Sequence, residues 1–246
     1  SVSERRGGPV ANDTSVAVGY APFTQTERLV FQVEQFLNSP SFKRAFPATG
    51  QDVKVLGVRT KRDVVLTVAM PLLASAIRTE SQYFARKAEV LKALQSFVKQ
   101  KAGPQLSAEV TLNALDRRGA GVEGMYLSLL GTSAEAGDSG EVGRGNRVCG
   151  VISLRRPASA EAAAGKNPVA HVGKIYNVLA HVLAGQIHRN VKGLREVTVW
   201  LTSQIGRPVS SPQFVMIEVH PAQGVSLASI EPPIGREVQQ ALHRMT

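Results

Sequence analysis

The chain has 246 residues, 43% hydrophobic and 20% charged, which excludes general disorder and a collagen-like fibre and favours one or two globular domains. The formal charge is +10, from 29 Lys and Arg against 19 Asp and Glu. Such an excess indicates nucleic acid, an anionic membrane face or a polyphosphate as ligand. Only 5% of the residues are aromatic, which disfavours a surface that stacks on bases. The one cysteine, Cys149, excludes an intrachain disulfide, and no apolar run is long enough for a membrane-spanning helix, so we expect a cytoplasmic protein.

Apolar periodicity and turn residues predict helices and strands along the whole chain. Thr24, with Glu27 three residues on, forms a capping-box pattern that begins the first helix. Gly103-Pro104 ends a later helix, and Pro232-Pro233 is expected to break the chain before the last one. In chain order we expect a helix from residue 24, strands at 53–58 and 64–68 joined by a hairpin at 60–62, a helix at 81–101, strands near 108–113 and 125–130, a helix at 171–191, strands at 197–202 and 214–220, and a short terminal helix. This order predicts an α+β fold.

Residues 11–22, "ANDTSVAVGYAP", form the first candidate segment, in which Asp13 lies beside Asn12 ahead of an apolar run. A carboxylate at the edge of a loop is able to hold a metal ion or the amine of a ligand. A turn that precedes a strand explains the same residues without any ligand. Both interpretations stay open for this segment taken alone.

Residues 131–150, "GTSAEAGDSGEVGRGNRVCG", contain six glycines, too many for regular structure. Backbone amides in such a loop form anion-binding concavities, and Arg144 and Arg147 are able to clamp phosphate oxygens. Asp138 is able to accept from a substrate group or to hold Mg²⁺ through water. A flexible surface loop is the alternative, because the segment is not a Walker A loop, a dinucleotide fingerprint or an EF-hand loop.

Residues 161–177, "EAAAGKNPVAHVGKIYN", place Gly165-Lys166 just ahead of a predicted helix, with Pro168 near its start. The beginning of a helix beside a lysine is suited to binding an anion. A solvated lysine is the alternative. His171 in the same segment is more typical of a hydrogen-bonding group at a helix start than of a catalyst.

These three strings, with "SQIGRP" at 203–208 and "FPATGQDVKVLGVR" at 46–59, resemble the archaeal-type S-adenosylmethionine synthetases, or methionine adenosyltransferases. The matching strings are long and lie in the family's order. The resemblance covers essentially the whole chain and roughly the C-terminal three-fifths of the family's length.

The resemblance implies an enzyme that joins ATP and L-methionine. The methionine sulfur attacks the ribose C5′, the triphosphate leaves, and it is then hydrolysed to diphosphate and phosphate. The implied fold consists of repeated α+β units around a pseudo-threefold axis. Mg²⁺ and K⁺ are the implied cofactors, and the implied assembly is a homodimer with active sites at the interface, without a membrane or nucleic-acid partner.

The resemblance also implies which residues act. Lys166, Arg144 and Asp138 are the expected catalytic residues, and the leaving triphosphate is a polyanion whose developing charge needs cations. Asp13 and Asp138 are the expected metal ligands. The expected substrate-binding residues are Asn12, Asp13, Lys54, Ser133, Glu135, Arg147, Asn167 and Lys174. The remaining histidines, His181, His188, His220 and His243, are expected to be structural or exposed.

The chain departs from the family pattern in several places. Cys149 stands where the family has a polar Asn, and Asp138-Ser139 stands where the family has two consecutive Asp. The family's His-Pro-Asp type motif and Gly-Gln-Gly-Ser type loop do not occur in these residues. We therefore expect that the first part of the family fold is missing here, that this chain alone is inactive, and that the natural protein contains the missing part. Four segments are expected: 1–22 packing with 131–174, an α+β unit at 23–130, the Gly-rich site segment at 131–174, and an α+β unit at 175–246.

Two other functions remain open. A non-catalytic paralogue would bind nucleotide, or a synthetase partner that it regulates. A nucleic-acid-binding module is suggested by the net charge and by the basic strings "SLRRPAS" at 153–159 and "RTKR" at 59–62. Such a module would lose affinity steeply with added salt, because many phosphate contacts release counterions.

Overall fold

The computed structural model describes residues 9–131, 147–169 and 171–245. In chain order they form β1 (Val16–Ala21), α1 (Gln25–Leu37), α2 (Pro40–Ala45), β2 (Lys54–Thr60), β3 (Asp63–Ala69), β4 (Leu72–Leu73), α3 (Glu80–Ala102), β5 (Ser107–Leu112), β6 (Leu127–Ser128), α4 (Val172–Asn190), β7 (Leu194–Thr202), β8 (Phe214–Pro221) and α5 (Leu227–His243). The chain divides into two compact units, Ser1–Phe23 with Val142–Thr246 and Thr24–Glu141. We call them the α4 unit and the α3 unit. The four segments expected from the sequence are a finer division and stay a prediction.

The α3 unit contains a three-stranded sheet of order β2-β3-β5. The hairpin of β2 and β3 closes at the pair Thr60 and Asp63, whereas β3 and β5 are parallel and α3 connects them. Helices α1 and α3 cover one face, because their apolar stripes meet those of the strands. The buried side chains of this core include Leu29, Val33, Leu37, Leu66, Val68, Val90, Leu94 and Val98.

The capping box at the start of α1 is confirmed. Thr24 Oγ1 accepts from Glu27 N at 3.2 Å, and Glu27 Oε2 accepts from Thr24 N at 2.8 Å. Each of the two residues thus satisfies a backbone donor that the first turn of a helix leaves without an intrahelical partner.

Tyr83 of α3 is at the centre of a polar network that reaches Asp116 and the backbone of Tyr126. The hydroxyl of buried Tyr83 donates to Asp116 Oδ2 at 2.6 Å and accepts from Tyr126 N at 3.1 Å. Lys87 Nζ lies 2.8 Å from the same Asp116 oxygen. Burial, followed by the hydrogen bond to Asp116, raises the pKa of Tyr83, so this network keeps a neutral phenol.

The α4 unit contains an antiparallel sheet of order β1-β7-β8. Helix α4 packs on β1 and β7, and a single apolar cluster joins it to α5 and to the sheet. Gly19 of β1 lies directly against α4, where a Cβ would overlap the backbone of Ala180. The strand and the helix therefore approach more closely than any other residue at position 19 allows.

The expectation that Pro232-Pro233 breaks the chain before a short helix was wrong, because both residues lie inside α5. Each proline removes one backbone donor. The carbonyls that lose these donors belong to the exposed first turn, where water is able to replace them. Burial of Ile230 and Ile234 against the core of the unit holds the helix across the two prolines.

The other predicted elements appear with shifts of a few residues. The strand expected at 125–130 is only the two-residue β6, which pairs with β4. Helix α4 begins at Val172, four residues after Pro168. In the described part of the chain, none of the helices combines the length and the hydropathy that crossing a membrane requires.

Candidate functional site

Residues 203–208 hold the bend that contains Asn12 and Asp13. Ala11 N donates to Arg207 O at 2.8 Å, and Gly206 N donates back to Ala11 O at 2.9 Å. Ser203 Oγ donates to Asp13 O at 2.9 Å. Two strings that are about 190 residues apart in the sequence are thus hydrogen-bonded to each other.

The same bend contacts the beginning of α4. Asn12 Oδ1 accepts from Val172 N at 3.1 Å. His171 caps the helix, since its Nδ1 accepts from Gly173 N at 3.1 Å and its carbonyl accepts from Lys174 N at 2.9 Å. This confirms His171 as a hydrogen-bonding group at a helix start. The first three backbone donors of α4 are therefore occupied by this chain, and an anion bound here needs side-chain partners.

Lys166 is held against the first turn of α4 by Glu161. The Lys166 Nζ lies 3.2 Å from Glu161 Oε2, and the two side chains are only 23% and 24% exposed. A Cβ on Gly173 would lie 2.5 Å from that carboxylate oxygen and 3.0 Å from Lys166 Cε. The ion pair thus lies in the space that glycine leaves on the helix surface.

The backbone of Glu161 is anchored as well. Asn177 Nδ2 donates to Glu161 O at 3.0 Å and to Gly173 O at 2.6 Å. Glu161 and Asn177 were not among the site residues expected from the sequence. The signal for Glu161 was its place in "EAAAGK", five residues before Lys166, but spacing alone does not show which partner a lysine in a loop chooses.

Three further expected site residues lie near this end of α4. Asp13 is exposed, and its Oδ1 accepts from Thr14 N at 2.7 Å. Asn167 Oδ1 accepts from Val169 N at 2.8 Å, and Lys174 lies half-buried in the first turn of the helix. Whether these residues bind substrate stays a prediction.

Arg147 lies beside a cleft of about 220 Å³ in the same unit. Its Nη1 donates to Ser159 O at 3.3 Å. The cleft is also lined by Tyr20 and His181, whose rings meet edge to face at 5.3 Å between centroids. Burial lowers the pKa of His181, so the neutral imidazole is favoured there. That His181 has only a structural role stays a prediction.

Cys149 lies at the same cleft, and its contacts show what the cysteine does there. Its Sγ is 3.5 Å from Tyr20 Oη and donates to Val151 O at 3.4 Å. Arg156 stacks over the Tyr20 ring at 4.4 Å and forms an ion pair with Glu196. Through Tyr20 of β1 and Glu196 of β7, these contacts attach the segment after residue 147 to the sheet.

The remaining expected site residues belong to the α3 unit or lie outside the described residues. Lys54 belongs to the α3 unit, where its Nζ lies 3.6 Å from Asp52 Oδ2 and its side chain is 58% exposed. Ser133, Glu135, Asp138 and Arg144 lie outside the described residues. Within residues 9–131, 147–169 and 171–245, no three His, Cys, Asp or Glu residues come together in a group that would hold a metal ion.

A family model described as S-adenosylmethionine synthetase (AdoMet synthetase) matches residues 2–246. The S-adenosylmethionine synthase of Pyrobaculum aerophilum is 49% identical over 214 residues, which make up 87% of this chain and 52% of that protein. The synthase of Thermococcus onnurineus is 44% identical over 225 residues, covering 92% and 55%. A probable S-adenosylmethionine synthase of Aquifex aeolicus is 43% identical over 237 residues, covering 96% and 58%. The chain spans about half the length of the curated relatives it matches.

A solved structure, that of an unusual S-adenosylmethionine synthetase from Campylobacter jejuni, matches with a TM-score of 0.60 at 12% identity. The match covers 94% of this chain and 60% of that chain. The likeness confirms the expected α+β class and the synthetase-like fold. With the family model extending from residue 2 to residue 246, the chain belongs to the S-adenosylmethionine synthetase family.

Proposed function

We propose that the protein makes S-adenosylmethionine from ATP and L-methionine, as a methionine adenosyltransferase. The observation that carries this proposal is the convergence at the start of α4 of three strings that resemble the family, with Asn12 bonded to Val172 N and Lys166 lying against Gly173. Family membership supports this reaction, and the convergence supports placing it at the start of α4.

The transfer of the adenosyl group to methionine needs cations at the triphosphate rather than a general base. A methionine sulfur is a neutral nucleophile, and no proton has to leave it when it attacks the ribose C5′. The leaving triphosphate gains negative charge, which positioned cations stabilise in the transition state. Lys166, Arg144 and Arg147 are the residues that we assign to the triphosphate and its hydrolysis to diphosphate and phosphate. Lys54 and Lys174 are assigned as further phosphate contacts.

Asp13 and Asp138 are the residues that would hold Mg²⁺, because a hard cation prefers carboxylate oxygens. Asp13 lies in the bend that contacts α4 through Asn12, and its exposed carboxylate is the type of group that binds such a cation. The ion would supply positive charge to the triphosphate oxygens. K⁺ is proposed as the second cofactor. We assign Asn12, Ser133, Glu135 and Asn167 to the methionine and adenosine parts of the substrates.

The assembly that we propose is a cytoplasmic homodimer with α+β units repeated around a pseudo-threefold axis and active sites at the interface. Positive charge is in excess over the whole chain, which suits a polyanionic substrate.

The basic strings do not favour nucleic acid. Arg156 of "SLRRPAS" has a side chain that is 8% exposed, is paired with Glu196 and donates to Pro22 O. Arg62 of "RTKR" donates to Gln105 O and Pro104 O. Two of the arginines that suggested phosphate contacts are therefore engaged within the chain.

A non-catalytic paralogue that binds nucleotide is the second candidate, and Cys149 is the observation that favours it. The thiol contacts Tyr20 and Val151 where the family pattern has a polar amide. A regulatory paralogue would bind ATP without forming S-adenosylmethionine.

Replacement of Lys166 tests the proposal in the complete natural protein, with ATP, L-methionine, Mg²⁺ and K⁺. We expect Lys166→Ala to lower the rate of S-adenosylmethionine formation by about 10²–10³-fold, the loss typical of one charge-stabilising group. The matched control is Lys192→Ala, which removes an exposed lysine beyond the other end of α4. Equal rates for both variants would contradict the assignment of Lys166.

A further inference from the structure

We propose that Glu161 is a positioning residue for Lys166 and that its charge opposes the retention of bound polyphosphate. The carboxylate holds the ammonium group before the anion arrives, and it then repels the anion that the ammonium group attracts. This inference rests on the proposed function, in which Lys166 contacts the triphosphate.

The placement of the pair supports the positioning role. The Glu161 carboxylate and the Lys166 ammonium are 3.2 Å apart, with about three-quarters of each side chain shielded from solvent. Exposed ion pairs contribute little, because water and salt screen them. Partial burial lowers the local dielectric and strengthens both the attraction within the pair and any repulsion from it.

Glu161 is also unable to move away easily. Asn177 Nδ2 binds its carbonyl at 3.0 Å, and its side chain lies over Gly173. A polyphosphate that takes the Lys166 ammonium therefore leaves a carboxylate close to its own negative oxygens. Like charges at such distances disfavour the bound state.

The backbone does not offset this repulsion. The amides of Val172, Gly173 and Lys174 already donate to Asn12 and His171, so side-chain cations carry the attraction at this end of α4. Lys166 is paired there with Glu161. The balance between Lys166 and Glu161 thus contributes to how tightly a polyphosphate stays bound, and we expect the ion pair to favour release of polyanionic product.

Titration calorimetry of the complete natural protein with inorganic tripolyphosphate in Mg²⁺ buffer tests this inference. Glu161→Gln keeps the size of the side chain and removes its charge, and we expect tripolyphosphate to bind about 3–10-fold more tightly. In steady-state assays kcat and the KM for ATP should fall together, because release becomes slower. A residue with only a structural role would lower stability and would not raise affinity.

Gly173→Ala is the second variant. Alanine is the better helix former, and its Cβ would crowd the Glu161 carboxylate at 2.5 Å more than it crowds Lys166 Cε at 3.0 Å, while both charges stay in the chain. We expect a smaller gain in tripolyphosphate affinity, about 2–4-fold. Failure of Glu161→Gln to bind tripolyphosphate more tightly would overturn the inference, whatever Gly173→Ala does.

Glu237→Gln is the matched control. Glu237 accepts from Asn190 at the last residue of α4, about 27 Å along the helix from Val172 at 1.5 Å per residue. Glu237→Gln removes one carboxylate charge, as Glu161→Gln does, but farther from the start of α4 than the Debye length in physiological salt. The affinity for tripolyphosphate should therefore not change. An equal gain from Glu237→Gln would assign the effect to net charge and overturn the role of Glu161.

Lys166→Ala separates this inference from the function on which it rests. If Lys166→Ala weakens tripolyphosphate binding and Glu161→Gln does not strengthen it, the inference alone is wrong. If Lys166→Ala leaves tripolyphosphate binding unchanged, the phosphate role of Lys166 is wrong and the inference is overturned with it.

Discussion

Burial of the His181 side chain makes the stability of the fold depend on pH. Its ring meets Tyr20 edge to face in the cleft of the α4 unit, and burial lowers its pKa from the ordinary value. The unfolded chain therefore binds a proton at a higher pH than the folded chain does. Stability that is complete above the ordinary pKa is lost as the pH falls through that value towards the lower folded pKa.

We therefore expect the free energy of unfolding to fall between pH 7.5 and pH 5.5, and to fall less in His181→Gln, in which this position no longer titrates. Urea unfolding at the two pH values measures the difference. His220→Gln is the control, because His220 is exposed on β8. A pH dependence that is unchanged in His181→Gln would show that burial of this histidine does not contribute.

The residues near Lys166 show what sequence reasoning reaches at this scale. His171 was predictable as a cap, because a polar side chain before an apolar helical run is a local pattern. Glu161 was not, because its pairing depends on the space over Gly173 and on the hydrogen bond from Asn177 to its carbonyl. Such contacts arise only when a loop folds back onto a helix.

Contact between β1 and α4 gives a prediction at the scale of elements. Gly19→Ala would place a Cβ into the backbone of Ala180, which cannot yield as the end of a flexible side chain does. We expect the variant to lose about 2–3 kcal/mol of unfolding free energy, measured as a lower urea midpoint.

Gly235→Ala in α5 is the control for this substitution, since a Cβ there has no atom within 4 Å among the described residues. It should raise stability by about 0.5–1 kcal/mol, because alanine is the better helix former. Equal effects of the two alanine substitutions would contradict the close approach at Gly19.

Most elements were predictable because their signals are local. The capping box at Thr24 and the stop at Gly103 are formed by neighbouring residues. Pro232 and Pro233 misled the prediction, because burial of Ile230 and Ile234 against the rest of the α4 unit outweighs two missing backbone donors. Tertiary packing of this kind cannot be read from the local pattern.

At the scale of the whole molecule, the family was recognisable because the matching strings are long and follow the family's order. The match of the family model to residues 2–246 confirms the family. The same strings did not show that residues 203–208 hold the Asp13 bend, or that Asn12 accepts from the backbone N–H of Val172 in α4. These are contacts between residues about 160 to 190 positions apart, which follow from the topology of the α4 unit.

Product analysis of the complete natural protein tests the central claim most directly. With ATP, Mg²⁺ and K⁺, we predict that S-adenosylmethionine, diphosphate and phosphate form in equal amounts, and only when L-methionine is present. This stoichiometry follows from a triphosphate that leaves whole and is hydrolysed before release. Binding of ATP without methionine-dependent S-adenosylmethionine would contradict the account and support a non-catalytic paralogue.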